Sequence, residues 1–365
     1  MISKSMGDVL LSGYGRLASR LPGLLPPLGY FLYITGQCNL DCVYCWQREQ
    51  DSAPADGFVN AARDPLPPEA WVRLVERLPR RCFIGLSGGE ATLSPAFRPI
   101  LAAAGRRPVT VNTNAVRLRD ADVALLTAGG VRNVSVSLDG FAEVHDVSRN
   151  RPGLFERTVA NLARLNQARR AAGRRAPRLT IKTVVTAAAL PRLEAFHRFC
   201  AETLEADALN LSLEKTGGHA QFSLFHAADP DRVWRDGRAA LAPYPDHAAL
   251  GLALKRLLAS PLARRCPVIL YPRMTTPAQV DTVLAARGQG CYRPCGLPRA
   301  MVTVLPDGTV IPCQSQALGN VRDHDWRVGR VLRQPAYREA CARVAGFGAA
   351  LPPSCALCCF AEVAR

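Results

Sequence analysis

The sequence predicts an α/β fold built on a parallel sheet, with a second, smaller unit at the C-terminal end. Three observations support it. Apolar strand-like runs alternate with helical patterns six times, polar residues or glycines follow four of the strands, and most cysteines fall into two groups. Such alternation indicates parallel strands joined by crossover helices and buried on both faces. The periodicity alone fits both a partial barrel and an open doubly wound sheet.

The predicted elements cover residues 30 to 213. The expected strands are Tyr30–Thr35, Cys82–Ser87, Val109–Asn112, Asn133–Leu138, Arg178–Val185 and Ala208–Leu213. The expected helices are Pro68–Leu78, Pro95–Ala104, Asp120–Ala128, Leu154–Ala172 and Leu190–Leu204. Further helical patterns, at Arg232–Ala240 and Ala248–Leu258, follow the last strand. A chain of 365 residues has room for this domain and a smaller one.

The residues at the strand ends indicate a binding site. In parallel α/β folds, ligands bind at the carboxyl ends of the strands. Here the first strand ends at a cysteine triplet, the second in Ser87-Gly88-Gly89-Glu90, the third in Asn112-Thr113-Asn114 and the fourth in Ser137-Leu138-Asp139-Gly140. Four such ends in succession predict one site at this edge of the sheet.

The cysteine triplet is Cys38, Cys42 and Cys45, spaced C-x3-C-x2-C. Three thiolates in one short loop can hold three corners of a [4Fe–4S] cube, which leaves the fourth iron open to a small molecule. A zinc knot or a chance cluster of buried thiols is the plainer alternative.

The triplet, with Asn39 and Tyr44 inside it, resembles the signature of the radical S-adenosylmethionine (SAM) superfamily. The resemblance implies a partial (β/α)6 TIM-like barrel and a cluster whose open iron binds the amino and carboxylate groups of SAM. An electron from the cluster then splits SAM to a 5′-deoxyadenosyl radical, which abstracts a substrate hydrogen atom. By the same resemblance, Gly88, Gly89 and Glu90 form the glycine-rich motif that meets the methionine amine.

Other strand-end residues are expected to contact SAM. Alternation along the fourth strand turns Ser135, Ser137 and Asp139 into the barrel, where the ribose hydroxyls and carboxylate of SAM could bond them. Asn112, at the end of the third strand, is also expected to contact SAM. The resemblance also assigns Ser137 and Arg149 to the SAM carboxylate and Tyr44 to the adenine. A surface position for Arg149 and core packing for Tyr44 are the alternatives.

Candidates for substrate contacts lie on the fifth and sixth strands. Alternation turns Lys182 inward on the fifth strand, and Asn210, Ser212 and Glu214 inward on the sixth. Because the chain has only four lysines, an inward Lys182 could bind an anionic group or act as an acid or base. It could equally form a structural pair with Glu214.

The second cysteine group follows a different pattern. A predicted β-hairpin, Met301–Leu305 and Thr309–Ile311 around Pro306-Asp307-Gly308, has cysteines on either side and a later C-x-x-C. This resembles the twitch domain, the short form of the SPASM domain, and implies one auxiliary [4Fe–4S] cluster. The implied ligands are Cys295, Cys313, Cys355 and Cys358.

Two cysteines of this group leave alternatives open. Cys291 could replace Cys295, and Cys359 could replace Cys358. Either could instead stay unligated, and in some relatives such a cysteine donates a hydrogen atom to a substrate radical. A four-cysteine zinc site is the competing interpretation of the group. Cys82, Cys200 and Cys341 are expected to be small core residues.

Four segments are expected along the chain: an N-terminal extension (1–29), the barrel core (30–215), a final barrel helix with an insertion (216–290) and the auxiliary domain (291–365). The segment Val9–Leu25 could form a surface helix that covers the barrel end. No signal peptide or apolar run of membrane-spanning length is seen, and grouped cysteines suit a reducing compartment, so we expect a cytoplasmic protein.

The net charge of +16 invites a comparison with nucleic-acid-binding proteins. Nearly all of it is arginine, and no basic stretch is interleaved with aromatics. We therefore expect no nucleic-acid partner. A zinc protein that binds nucleic acid is the remote alternative, in which the glycine and aspartate strand ends would have no role.

Two substrate classes compete for the radical reaction. One is a small molecule such as a sugar, aminocyclitol or nucleoside, oxidised or epimerised in natural-product biosynthesis. The other is a side chain of a ribosomally made peptide. Peptide maturases often carry an N-terminal recognition domain of about eighty residues, and some thirty residues precede the first strand here. This favours the small molecule. The expected electron donor is of the flavodoxin or ferredoxin type.

Overall fold

A computed structural model describes residues 13–18, 25–45, 65–173, 176–216, 240–242, 244–288, 290–313, 317–352, 355, 357–358 and 360–364. The strands are β1 (Gly29–Tyr33), β2 (Phe83–Ser87), β3 (Val109–Thr113), β4 (Val131–Ser137), β5 (Arg178–Val185), β6 (Ala208–Leu213), β7 (Lys215–Thr216), β8 (Ala240–Leu241), β9 (Val268–Tyr271), β10 (Met301–Val304), β11 (Thr309–Ile311) and β12 (Gly319–Asn320).

The α-helices lie between these strands and at the C-terminal end. They are α1 (residues 13–18), α2 (Pro68–Glu76), α3 (Phe97–Ala104), α4 (Asp120–Thr127), α5 (Ala142–Ser148), α6 (Leu154–Ala171), α7 (Leu193–Glu202), α8 (His247–Ala259), α9 (Pro277–Ala285), α10 (Leu297–Ala300), α11 (Val328–Val331) and α12 (Pro335–Gly346).

Ten strands form one sheet in the order β12-β11-β10-β1-β2-β3-β4-β5-β6-β9. All pairings from β10 through β1 to β9 are parallel, and β10-β11-β12 is antiparallel. Among the described residues the two end strands do not meet, so the sheet stays open between them. The predicted partial (β/α)6 barrel is confirmed.

The two faces of the sheet differ in chemistry. Apolar side chains alternate along the strands on the face that packs against the helices. They are fully buried, for example Leu32, Ile84, Val134, Ile181 and Leu209. The opposite face is polar. Lys182 on β5 donates to Asn112 on β3 across the intervening β4, at 2.8 Å between Nζ and Oδ1. Because the helices pack on the apolar face, the polar face is the barrel interior.

The hairpin of the second cysteine group extends the barrel sheet. It forms as predicted, and β10 pairs in parallel with β1, from Gly29 opposite Met301 to Leu32 opposite Val304. Fixed φ at Pro306 and the positive φ of Gly308, 91°, suit the turn between its strands. The auxiliary segment therefore shares the sheet of the barrel.

Several predicted elements differ from the structure. The helix expected over Leu190–Leu204 starts as a 3-10 turn, Ala187–Arg192, and becomes α-helical at α7. The pattern at Arg232–Ala240 lies outside the described residues except for its last residue, which begins β8 rather than ending a helix. A seventh parallel strand, β9, was not predicted because it is only four residues long and prolines flank it.

Part of the expected N-terminal helix is described. It is α1, which packs against the segment before β10: a Cβ added at Gly15 would lie 2.3 Å from the carbonyl oxygen of Gly296. Arg16 forms an ion pair with Glu362 at 2.7 Å. These contacts join the N-terminal helix to the auxiliary segment.

Candidate active site

The cysteine triplet lies in the loop after β1. Cys42 is buried, Cys45 is half-buried and Cys38 is exposed. The backbone N–H of Cys45 donates to the carbonyl of Cys42 at 3.1 Å, and that of Val43 donates to Ser148 at the end of α5 at 3.0 Å. The loop is thereby fixed to the helix that follows β4.

The glycine pair after β2 packs directly on this loop. A Cβ at Gly88 would lie 2.2 Å from the carbonyl oxygen of Thr35, and one at Gly89 would lie 2.2 Å from that of Gln37. Because no side chain can be placed at such distances, glycine is required at both positions. In the structure the close backbone approach that the pair permits is therefore to the cysteine loop itself.

Glu90 is buried and joins the ends of two strands. Its Oε1 accepts hydrogen bonds from the Thr92 hydroxyl at 2.6 Å and the Thr113 hydroxyl at 2.7 Å, and its Oε2 accepts one from the backbone of Asn114 at 2.6 Å. The backbone N–H of Glu90 donates to Gln37 at 2.8 Å. The carboxylate holds β2, β3 and the cysteine loop in one arrangement.

Asp139 is the centre of a second buried network. Arg149 forms a bidentate ion pair with its carboxylate, with 2.7 Å from Nε to Oδ2 and 3.3 Å from Nη2 to Oδ1. The hydroxyl of Tyr44 and the backbone N–H of Val184 also donate to this carboxylate. Burial opposes the charge of Asp139, but the Arg149 guanidinium outweighs it and keeps the aspartate pKa below its usual range.

The same network contains a neutral histidine. His145 Nδ1 accepts a hydrogen bond from the backbone N–H of Asp139 at 3.2 Å, so its proton is on Nε2. Burial, and then the neighbouring Arg149 charge, lowers the pKa of His145 to about 4.

Arg149 and Tyr44 thus lie where the sequence predicts a site, with Asp139 between them. The guanidinium is 5.9 Å from the centre of the Tyr44 ring, and its Nη1 is 3.7 Å from the Cys42 sulfur. The surface alternative for Arg149 is excluded, since the side chain is buried. Ser137, at the end of β4, is half-buried.

The barrel interior carries the substrate candidates. Lys182 pairs by register with Ser137 on one side and Asn210 on the other, and its ammonium donates to Asn112. Asn210 is 3% exposed, and its Oδ1 has no hydrogen-bond partner among the residues that the structure describes. Glu214 lies four residues after Asn210, the residue paired with Lys182. Burial raises the pKa of the Glu214 carboxyl.

The second cysteine group begins near the amino end of β10. Cys295 precedes β10, and Cys313 follows β11 two residues after Ile311, which pairs with Thr303. The register therefore places Cys313 near the amino end of β10, whereas Cys38 follows the carboxyl end of β1. A five-residue strand spans roughly 16 Å, so the two groups lie at opposite ends of the strands.

Tyr292 ties the later cysteines to this group. Its buried hydroxyl accepts from the backbone of Leu357 at 3.1 Å, between Cys355 and Cys358, and donates to Gly288 at 2.8 Å. Burial, together with the nearby Cys358 thiol, raises the pKa of the Cys295 thiol to about 11. Cys291 packs in the hydrophobic core, and Cys359 lies outside the described residues.

The donor sets fit iron–sulfur clusters. Both are composed of thiols, and side-chain N–H groups point at two sulfurs of the triplet: Arg149 at Cys42, and Asn114 at Cys38 at 3.9 Å. In the described part of the chain, no three His, Cys, Asp or Glu side chains converge as they would around one ion. A cube binds each thiolate through a different iron, so its ligands need not converge in that way.

Sequence reasoning placed Asn114 among the strand-end residues of the site but assigned it no contact, and it assigned His145 no role. Asn114 ends the polar run of β3, which is a detectable signal, but only the fold shows that its amide reaches Cys38 and Asn39. His145 follows β4 on a short helix whose pattern is too brief to predict. The expected core positions of Cys82, Cys200 and Cys341 are confirmed.

Two protein families match the chain. Residues 32–173 match the radical SAM superfamily, and residues 295–359 match SPASM, an iron–sulfur cluster-binding domain. The chain therefore carries a radical SAM domain and a C-terminal SPASM domain, which imply [4Fe–4S] clusters and SAM as cofactors.

Curated relatives match over about two fifths of this chain. The sporulation killing factor maturation protein SkfB of Bacillus subtilis is 30% identical over 146 residues, 39% of this chain and 33% of that protein. The AdoMet-dependent heme synthase of Methanosarcina barkeri is 37% identical over 139 residues, 37% of this chain and 38% of that protein. Mycofactocin maturase MftC of Mycobacterium ulcerans is 30% identical over 148 residues, which cover 39% of this chain and 37% of that protein. The chain thus spans between 33% and 38% of the length of these relatives.

Solved structures share the fold over most of the chain. SuiB of Streptococcus suis, bound to its precursor peptide SuiA, superposes with a TM-score of 0.60 at 14% identity, covering 90% of this chain and 69% of SuiB. The structure of anSMEcpe with bound AdoMet superposes with a TM-score of 0.56 at 17% identity, covering 88% of this chain and 84% of anSMEcpe. No helix in the described ranges is long and apolar enough to cross a membrane.

Proposed function

We propose that this radical SAM and SPASM protein modifies a side chain of a ribosomally made peptide. Two of the three curated relatives described above are named as maturation proteins, and the SuiB structure is of a complex with a precursor peptide. These comparisons favour the peptide over the small molecule that the sequence suggested. The heme synthase match keeps a non-peptide substrate as the competing class.

The open side of the barrel is the observation that carries this proposal. The sheet ends at β12 and β9, which are not paired with each other in the described structure. A barrel that is open along one side can admit one side chain of an extended peptide while the flanking residues stay outside. A closed barrel would accept only what fits through its ends.

The chain's own residues would position the reacting side chain between the two cysteine groups. The triplet at the carboxyl end of β1 would hold the catalytic cluster, and Cys295, Cys313, Cys355 and Cys358 would hold one auxiliary cluster. With SAM bound, a reduced cluster there would supply the one electron that splits SAM into methionine and a 5′-deoxyadenosyl radical, which would take a hydrogen atom from the substrate. Lys182 and Asn112 would contact a polar group of the peptide in the interior, and the barrel walls would exclude water.

The test is an anaerobic reaction with reductant, SAM and a candidate peptide encoded beside this protein. We expect a defined mass change in the peptide by mass spectrometry, localised to one residue by fragmentation, and 5′-deoxyadenosine formed in proportion. The control is the Cys38→Ala/Cys42→Ala/Cys45→Ala variant. SAM cleavage coupled to a sugar, aminocyclitol or nucleoside, with the peptide unchanged, would contradict the proposal.

The electron would come from a small flavodoxin- or ferredoxin-type donor at the outer side of the cysteine loop. Val43 in this loop and Val147 on α5 are 46% and 71% exposed, and the hydrogen bond from Val43 to Ser148 holds the two segments together. Val147→Glu should slow reduction by an acidic protein donor and leave reduction by dithionite unchanged. Equal rates with both donors would place donor docking elsewhere.

A further inference from the structure

Two side chains donate to sulfurs of the cysteine triplet, one directly after β3 and one at the C-terminal end of α5. The Asn114 amide nitrogen lies 3.9 Å from Cys38 Sγ, and the Arg149 guanidinium nitrogen lies 3.7 Å from Cys42 Sγ. We propose that Asn114 and Arg149 are positioning residues that set the reduction potential of the SAM-binding cluster through these N–H···S contacts. The proposal rests on the assignment of the triplet as cluster ligands and not on the identity of the substrate.

The physical reason is the change in charge on reduction. Added electron density is shared with the ligand sulfurs, and an N–H donor stabilises a more negative sulfur more than a less negative one. Donors to the sulfurs therefore raise the potential and make the cluster easier to reduce. Outer contacts of this kind also orient the ligands.

Both donors are held in place by other bonds. The Asn114 amide nitrogen also donates to Asn39 Oδ1 at 2.9 Å, and its Oδ1 accepts from the backbone of Val116 at 3.0 Å. Arg149 is fixed by the buried pair with Asp139. Neither side chain needs to reorganise when the cluster is reduced, so the contacts act as fixed dipoles on the sulfurs.

This role differs from contact with the SAM carboxylate, which the family resemblance implies for Arg149. A contact to Cys42 acts with or without SAM, whereas a contact to the carboxylate acts only when SAM is bound. Asn114 tests the idea independently, since its variant leaves the Asp139 network intact.

The test is a redox titration of the reconstituted protein followed by electron paramagnetic resonance, without SAM. We expect Asn114→Ala and Arg149→Met each to lower the midpoint potential of the SAM-binding cluster. The matched controls are Asn161→Ala, whose amide supports Ala115 and Val116 but touches no sulfur, and Arg151→Met, an exposed arginine that donates to the carbonyl of Asn39. Their potentials should equal that of the wild type.

A second readout uses Asn114→Ala alone and therefore does not require the Arg149 variant to fold. In the reduced wild type, electron–nuclear double resonance should detect exchangeable protons coupled to the cluster, and Asn114→Ala should lose one of them. Unchanged SAM-free potentials in both variants, with any change confined to the SAM-bound Arg149→Met protein, would overturn the proposal. So would control variants that shift the potential as far as the test variants do.

Discussion

Arg149 lies ten residues after Asp139, and the two form a buried ion pair in which Nε is 2.7 Å from Oδ2. The pair joins the end of β4 to the C-terminal end of α5 and contacts the cysteine loop at Tyr44 and Cys42. One carboxylate therefore organises two segments that are almost a hundred residues apart in sequence.

Asp139→Ala should destabilise the protein strongly. It leaves the Arg149 charge buried without a partner, which costs about 3–5 kcal/mol when one member of a buried pair is removed. The free energy of unfolding from urea denaturation measures this. The matched control is Glu143→Ala, which breaks the exposed pair with Arg192 at 2.6 Å and should cost less than about 1 kcal/mol. Equal losses for the two variants would contradict the prediction.

Gly89→Ala should displace the cysteine loop. The new Cβ would meet the carbonyl oxygen of Gln37 at 2.2 Å, a backbone atom that can move only with the loop. We expect reconstituted protein to lose about four of about eight irons, with the auxiliary cluster retained. Gly346→Ala, where nothing lies within 4 Å of the added Cβ, is the control and should keep its full iron content. Full iron in the Gly89 variant would show that the loop can adapt.

Lys182→Met should uncouple SAM cleavage from product formation. The substitution keeps most of the side-chain volume but removes the ammonium that donates to Asn112 in the barrel interior. We expect 5′-deoxyadenosine to form while peptide product falls at least tenfold, both measured by mass spectrometry. Lys255→Met, on the surface beside Asp281, is the control. Normal product from the Lys182 variant would remove this residue from substrate binding.

His145 should make stability depend on pH between about 4 and 6.5. Its folded pKa, about 4, is below the ordinary value of 6.5, so between these values the unfolded chain binds a proton that the folded chain does not. Stability is therefore complete above about pH 6.5 and falls as the pH decreases, by on the order of 3 kcal/mol at pH 4. His145→Asn, which can still accept from the Asp139 backbone, should show a flatter curve in urea titrations. Two parallel curves would contradict this prediction.

Cys295→Ser and Cys291→Ser should separate the two candidate auxiliary ligands. Cys295 lies within electrostatic range of Cys358, whereas Cys291 is buried in the hydrophobic core. We expect the Cys295 variant to lose about four irons and the Cys291 variant to keep about eight. The reverse result would make Cys291 the ligand.

The sequence by itself determined the order of the elements and the residue types of the site. The limits of β5 and β6 were predicted to the residue, because long apolar runs with period-two polar positions leave little choice of register. The triplet, the glycine pair, Asp139 and the later cysteines were also predicted, since chemistry at a strand end can be read locally. Short elements such as β9 and α5 carry too few residues for a detectable period.

Only the tertiary structure decided which of these groups meet. Gly88 and Gly89 allow the cysteine loop to pack closely, and Glu90 joins the ends of β2 and β3. Arg149 forms a buried ion pair with Asp139 and is not exposed to solvent. The parallel pairing of β10 with β1 sets the two cysteine groups at opposite ends of the strands. Such contacts join residues distant in sequence, and they depend on strand register and sheet curvature, which no local pattern encodes.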